Sequence, residues 1–314
     1  MPTRFTLRQL EYFVAVGRFG SISRAAESLN VSSPSISAAI SQLEQELGLP
    51  LFVRKRSQGL SLTQAGRQLW EEAEQILERT NRFARLANDI AGKVRGPLSV
   101  GCLLTFAQII VPTLRRSFEI AQPDAKIRQF ELDQMEIFER LRRAEIDVAL
   151  TYEMGIPSDF EFLRLLPLPA LAMVPEDHVF ANRDQVELHE LVDHPMILLD
   201  LPYSVDYFLA FFSQKGLSPL VAERTRDMAV ARSLVANGFG YSIVNTRPLN
   251  DLAPDGRALK FIPIATQSPP MHLGLIFVPG VEKSLIVKAF IEHCKHELNQ
   301  ESFPGLGSTK PPKH

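Results

Sequence analysis

Residues 21–52, SISRAAESLNVSSPSISAAISQLEQELGLPLF, restrict the fold more than any other stretch of the chain. They spell a short helix, an interruption at Asn30-Val31-Ser32, and a second helix. Ser21 is placed to cap the first helix, whose apolar positions are Ala25, Ala26 and Leu29. Ser33 and Pro34 open the second as an N-cap and a first-turn proline, because the leading N–H groups of a helix have no internal partners. Ile36, Ile40, Leu43 and Leu47 recur at helical spacing and predict one buried face. The opposite face carries Ser35, Ser37, Ala38, Ser41, Gln42 and Gln45. Polar and almost uncharged at its start, that face suits a major groove, where base edges are read. An ordinary helical hairpin is the competing reading, and the flanks decide between them.

Upstream, Thr6-Leu7-Arg8-Gln9 is a capping box that opens another helix with Leu7, Leu10, Phe13 and Val14 for a core. Downstream, LPLFVRKRSQGLSLT alternates apolar residues around the basic knot Arg54-Lys55-Arg56, with Gly59 as the turn, and predicts a two-stranded wing. Residues 1–66 hold seven Lys/Arg against four acids, a net +3, whereas the whole chain is −2. Positive charge therefore gathers beside the groove-reading helix, where release of counterions from phosphates drives affinity. Double-stranded DNA is the expected partner.

The run LRQLEYFVAVGRFGSISRAAESLNVSSPSISAAISQLEQELGLPLF with LTQAG, Leu7 to Gly66, resembles the amino-terminal domain of LysR-type transcriptional regulators. The resemblance implies a winged helix-turn-helix, a long linker helix for dimerisation and a carboxy-terminal effector-binding domain of the periplasmic-binding-protein type. It departs from the family pattern where Ser33 replaces a common glutamine and Ala38 a common arginine, so the half-site read here is expected to differ. The candidate DNA-contacting set is Arg24, Ser32, Ser33, Pro34, Ser35, Ser37, Ala38, Gln42, Arg54, Lys55 and Arg56. Ala38 suits a thymine methyl, and Ser33 and Gln42 suit phosphate or base edges.

Thr63 can cap the linker helix, and Gly92 with Gly96-Pro97 ends it. Along it Leu69, Ala73, Ile76, Thr80, Phe83, Ala87 and Ile90 follow alternating spacings of four and three, the period two supercoiling helices require. A long helix buried against its own domain is the alternative. Dimerisation is favoured because one winged helix covers one half-site, and a two-fold dimer reads a dyad. The resemblance extends this to a dimer of dimers, with RNA polymerase as a candidate partner.

A chain of 314 residues, 45% hydrophobic and 22% charged, exceeds one average domain and can bury large cores without disulfides. Cys102 and Cys294 lie far apart and give neither a secreted framework nor metal spacing. No apolar run has the length of a membrane span and Met1-Pro2-Thr3-Arg4 does not open a signal peptide, so a cytoplasmic protein with no membrane association is expected. The expected organisation is an α/β multidomain chain: a winged helix-turn-helix over 1–62, a linker helix over 63–92, a two-lobed periplasmic-binding-protein-like α/β domain over 93–301, and a disordered Gly/Pro/Lys-rich tail over 302–314.

From residue 97 onward strand-like and helix-like segments alternate, including LSVGC, one helix near Thr105–Ala121, KIRQFEL, IDVALT, PMILL, GYSIV and MHLGLIFV. Such succession argues for parallel sheets covered on both faces. The expected lobes are 97–164 with 269–300, and 165–268. Ligands of such folds sit beyond the carboxyl ends of strands, where helix N-termini face them. Thr105 to Gln108 reads as a capping box after the first strand, and the resemblance places an effector-contacting Ser or Thr at Thr105, beside Leu104. In the second lobe Pro202, Tyr203 and Ser204 follow a strand, and Arg226, just before a predicted Asp227 cap, is the candidate to meet an anionic effector. Met135, Tyr152, Phe239 and Asn245 complete the candidate effector set, each with core packing as the competing role.

No Cys/His cluster, Gly-x-Ser-x-Gly elbow or phosphate loop is present, so no catalytic residues, metal or cofactor are expected, and the seven histidines are read as solvated. Cys102 raises a redox-sensing alternative, set against a small buried thiol. The expected function is a sequence-specific DNA-binding transcriptional regulator controlled by a small-molecule effector held between two lobes. The alternatives are a regulator of the same type sensing redox state or a protein partner, a solute-binding protein, and a small-molecule enzyme.

Overall fold

The computed structural model describes residues 4–55, 59–266, 268–298 and 303, which fall in two compact units, 1–90 and 91–314. Arg56 lies outside the described residues, as do the side chains of Arg54 and Lys55 and the 302–314 tail except Phe303.

In the first unit, α1 (Leu7–Phe19) opens on the reciprocal Thr6–Gln9 cap and stops at Gly20, whose φ of +60° suits glycine. Ser21 caps α2 (Ile22–Leu29). Helix α3 (Ser33–Leu47) starts one residue earlier than the sequence suggests: Ser32, not Ser33, is the N-cap, its Oγ accepting from the Ser35 amide at 3.4 Å. Pro34 is tolerated one position further in because the second amide of a helix is also without an internal partner. Ala25, Ala26, Ile36, Ile40 and Leu43 are buried with Phe13 and Val16, while Leu29 is left 37% exposed. The wing is an antiparallel pair, β1 (Phe52–Lys55) and β2 (Gly59–Leu62), with Phe52 opposite Leu62. Glu44 joins α3 to the wing by accepting from the Leu51 amide at 2.7 Å and the Phe52 amide at 3.2 Å.

Thr63 caps α4 (Gln64–Ile90), its Oγ1 accepting from the Gly66 amide at 2.8 Å. Gly66 is required by a close approach, since a Cβ there would stand 2.1 Å from the Leu51 carbonyl oxygen. The first turns of α4 belong to the core of this unit. Ala73 is 2% exposed, Leu69 and Leu77 are half-buried, and Trp70 Nε1 donates to the Val14 carbonyl at 3.0 Å.

The second unit begins with β3 (Gly96–Leu103), α5 (Leu104–Ile109), α6 (Val111–Ala121), β4 (Ala125–Leu132), α7 (Gln134–Arg142), β5 (Val148–Tyr152) and β6 (Glu161–Leu168). It continues through β7 (Leu171–Pro175), β8 (Val186–Glu187), α8 (Leu188–Leu191), β9 (Pro195–Leu199), α9 (Ser204–Ser213), β10 (Leu220–Thr225), α10 (Met228–Ala236), β11 (Ser242–Val244) and β12 (Leu259–Ala265), and ends with β13 (Met271–Phe277) and α11 (Leu285–Glu297). Where one helix was expected near Thr105–Ala121, the chain breaks at Ile110. Pro112, in the first turn of α6, cannot donate to a preceding turn and separates the two helices.

Two sheets result, and neither is purely parallel. The first has the order β4-β3-β5-β13-β6, with β3 parallel to β4 and β5 but β13 antiparallel to both β5 and β6. The second has the order β11-β7-β12-β8, in which β7 runs antiparallel to β11 and β12. The parallel pair β9–β10 joins it through a Met196–Tyr241 bridge. Direct strand–helix–strand succession demands parallel neighbours, but β13 returns from the other lobe and enters its sheet from the opposite end. The lobe boundary also moves from residue 165, because β6 stays in the first sheet as far as Leu168, opposite Met271. Phe106, Phe118, Leu273 and Phe290 fill one face of the first sheet, joined by Phe303, and Ile137, Phe138 and Ile276 the other. Leu198, Phe212 and Ile243 pack together in the second lobe, with Met173, Val235 and Leu259 in a further cluster.

Candidate DNA-reading face and inter-lobe cavity

The cap at Ser32 and the burial of Ile36, Ile40 and Leu43 turn the rest of the start of α3 outward. Ser32, Pro34, Ser35, Ser37, Ala38 and Gln42 are exposed and Ser33 is half-exposed, so the predicted reading residues share one accessible face. Ser32 and Ser35 hydroxyls are 2.7 Å apart and partner each other at its tip. Arg24 is exposed, with Nη2 donating to the Phe19 carbonyl. The backbone of Arg54 and Lys55 runs in β1. Arg8 Nε donates to Tyr12 Oη at 2.8 Å, and Arg8 lines a shallow depression with Gln42.

The proposed dimer seam divides. Leu69 and Ala73 face the unit's own core, since a residue as buried as Ala73 has no surface left for a second helix. Ile76 is 39% exposed, Thr80 Oγ1 donates back to the Ile76 carbonyl at 3.0 Å, and Ala87 is exposed. Phe83 and Ile90 stand 74% and 80% exposed, with Leu86 also exposed.

In the second unit a cavity of about 320 Å³ opens between the two lobes. The first lobe supplies Leu104, Thr105 and Gln108 from α5 and Glu131 to Gln134 from the β4–α7 junction. The second lobe supplies Pro202 and Ser204 at the start of α9 and Arg226 beside the Asp227 cap of α10. Tyr152 and Asn245 close the floor where the lobes meet. The side chains of Thr105, Gln108, Ser204 and Arg226 make no hydrogen bond or ion pair with the described residues. Other polar groups are engaged. Asp133 and Glu136 form the reciprocal cap of α7, and Gln134, 2% exposed, donates to the Met154 carbonyl at 3.1 Å and accepts from Thr151. Asn245 donates to the Leu168 carbonyl at 3.3 Å and to Tyr207 Oη at 3.0 Å, so it fastens the lobe junction. Burial pushes the Tyr207 phenol up to about 12 and raises Tyr152, which faces Thr246, so both stay protonated.

Seven of the ten predicted effector residues line this cavity, and three do not. Phe239, 55% exposed, precedes β11 while the cavity lies beyond the strand's other end, and it shares an outer groove with Val230 and Pro254. Met135 and Tyr203 meet each other through the Tyr203 hydroxyl and Met135 Sδ, and Tyr203 lines a neighbouring depression. Thr105 does not cap α5: the N-cap position is Leu103, without a side-chain hydrogen bond. Gln108, Asp133, Glu136 and Thr246 also line the cavity, outside the expected set, and of these Asp133-x-x-Glu136 after a strand marks a helix start in the sequence.

Both thiols are buried. Cys102 is fully buried and pushed up to about 12 by desolvation, with Glu131 adding to the rise, and buried Cys294 is likewise raised. His178, His194, His272 and His293 are half-buried rather than solvated, while His189 and His296 are exposed. His293 Nε2 lies 2.7 Å from Ser117 Oγ, and the His178 and His194 rings are 5.0 Å apart. No cluster with metal-binding composition occurs among the described residues, and no described helix is long and apolar enough to cross a membrane.

An exposed helix-turn-helix face and a two-lobed domain with a cavity between its lobes define a DNA-binding transcriptional regulator with an effector-binding domain. Residues 7–67 match the bacterial regulatory helix-turn-helix protein, lysR family, and residues 91–299 match the LysR substrate binding domain. The chain belongs to the LysR family of transcriptional regulators. A crystallised LysR family regulator from Pseudomonas aeruginosa is 32% identical with a TM-score of 0.64, over 95% of this chain and 100% of that one. Full-length CbnR complexed with its target DNA is 26% identical with a TM-score of 0.68, over 93% and 99% of the two chains. The Hca operon transcriptional activator HcaR of Escherichia coli (strain K12) is 30% identical, over 76% of this chain and 81% of that protein.

Proposed function

We propose that a small molecule with an apolar body and an anionic group occupies the cavity between the lobes and sets the regulator's activity. The supporting observation is that Thr105 and Gln108 from one lobe and Ser204 and Arg226 from the other line it without partners among the described residues. Leucine, methionine and aromatic side chains supply most of the remaining wall, as is usual for a small-molecule site, and the polar groups Glu131, Asp133, Gln134, Glu136, Asn245 and Thr246 complete it. A ligand touching both lobes favours one lobe arrangement through its difference in affinity for the two. Winged helices paired through Phe83, Leu86 and Ile90 read a dyad, and a dimer of dimers with RNA polymerase as partner completes the cytoplasmic assembly. Reading residues Ser33, Ser37, Ala38 and Gln42 select sequence, with Arg54, Lys55 and Arg56 on phosphates. Homologues are transcriptional regulators, and we assign the chain no catalytic role.

Replacing Ser204 with Phe, or Thr105 with Trp, fills the cavity. The expected result is unchanged operator affinity with loss of the transcriptional response, read by gel shift and reporter assay. A normal response in both variants removes the cavity from the mechanism.

A further inference from the structure

We propose that a second chamber, built around Arg232, binds a compact organic monocarboxylate. Its volume is about 510 Å³, and Met173, Val244, Pro248, Pro254 and Phe261 provide apolar walls. Thr105, Gln108, Met228 and Thr246 line both this chamber and the inter-lobe cavity and so form a common partition.

Arg232 lies on α10 and is 8% exposed. A guanidinium carries five N–H donors. Nη2 donates to the Asn250 carbonyl at 3.3 Å and to the Leu252 carbonyl, while Nε and Nη1 have no partner among the described residues. Asp251 is held by Arg247, whose Nε donates to Oδ1 at 2.9 Å and whose Nη2 donates to Oδ2. The Arg232 and Arg247 guanidinium carbons stand 5.6 and 5.3 Å from the Phe261 ring centre. Two positive charges thus share one carboxylate in a largely buried cluster, and the surplus falls on Arg232. Burial of a charge with unpaired donors is costly, and the cost shows in a pKa pulled below the usual arginine range by desolvation, with Asp251 opposing. A carboxylate supplies both the missing charge and the missing acceptors, and the apolar walls receive a short hydrocarbon.

The test uses full-length protein, trifluoropropionate and its neutral amide, followed by fluorine NMR. Wild type is expected to broaden the acid signal and not the amide signal. Arg232→Gln and Ala229→Phe, the latter filling the chamber beside an untouched Arg232, are each expected to weaken acid binding at least about tenfold. Ser204→Phe and Arg226→Gln are expected to retain it, which separates this chamber from the effector cavity. If Arg232→Gln does not fold, Ala229→Phe decides. Absence of broadening in wild type, or binding that survives Ala229→Phe, overturns the proposal. Binding lost in Ser204→Phe and kept in Ala229→Phe also overturns it, while leaving the effector reading intact.

Discussion

Tyr203 of the second lobe crosses to the first, where its phenol donates to Met135 Sδ at 3.4 Å. Its ring stands 6.1 Å from Phe138 and lies against Gly155, where a Cβ would come within 2.4 Å of Tyr203 Cε1. The crossing is made on a strained backbone, since Tyr203 has φ +65°, a region that costs a bulky residue about 1–3 kcal/mol. Cross-lobe packing holds that conformation, which makes Tyr203 a latch between the lobes.

Removing the latch gives the first prediction. Tyr203→Gly relieves the backbone and deletes the crossing, so the lobes are expected to separate further and small-angle scattering to report a larger radius of gyration. Gly155→Ala forces a methyl into the Tyr203 ring at φ +56° and is expected to destabilise by about 1–3 kcal/mol, read as a lower melting temperature. An unchanged radius for Tyr203→Gly would refute the latch.

The two ends of α4 are expected to respond differently. Ala73→Asp buries an unpaired carboxylate in the first unit's core and should unfold it, abolishing DNA binding. Phe83→Ser alters an exposed position and should leave the helical circular dichroism intact while weakening self-association in sedimentation. A Phe83→Ser protein as oligomeric as wild type would remove the exposed half of α4 from the dimer interface.

On the reading helix, capping and recognition should separate. Ser32→Ala removes the acceptor for the Ser35 amide and is expected to cost about 1 kcal/mol of stability. Changes at Ser37 or Gln42 should alter which operators are preferred, whereas Arg54→Ala should weaken all sequences alike and reduce the salt slope by about one. Competition binding against randomised duplexes distinguishes these, and a uniform loss from Ser37 or Gln42 changes would count against base reading by α3.

His293 supplies a pH signature. Desolvation lowers its pKa beneath the ordinary value of 6.5, against the opposing pull of Glu297, while its ring packs 5.4 Å from Phe118. The unfolded imidazole takes up a proton near 6.5 while the folded one resists, so below that pH the unfolded state binds more protons. Stability is therefore full above about 6.5 and declines as pH falls toward the folded value. His293→Gln, which does not titrate, is expected to flatten that decline in urea unfolding curves. An equally steep decline in the variant would assign it to other groups.

Much of the first unit could be read directly, because its signals are local. Thr6, Ser21 and Thr63 each cap within three residues, and the Ile36–Leu43 spacing names its own buried face. The exposed end of α4 was legible for the same reason, but the core role of Ala73 was not, since heptad spacing does not say which neighbour a face meets. In the second unit, strand order was legible and direction was not. Antiparallel β13 follows from the chain's return after a hundred residues elsewhere, which no short window records. Phe239 misled because a glycine turn before a strand looks the same at either end of a sheet. Arg232 was invisible, since an arginine amid a helix reads as a surface charge until the cavity around it is seen.

The place of β13 between β5 and β6 bears on how the molecule is made. Those two strands are finished by Leu168, yet the segment that joins them begins at Met271. A nascent chain must therefore carry two unpaired edges while residues 169–270 leave the ribosome, and such edges invite mispairing. Truncation before β13 should leave the first lobe without its central seam, so sensing competence arrives late in synthesis, well after the DNA-reading unit is complete.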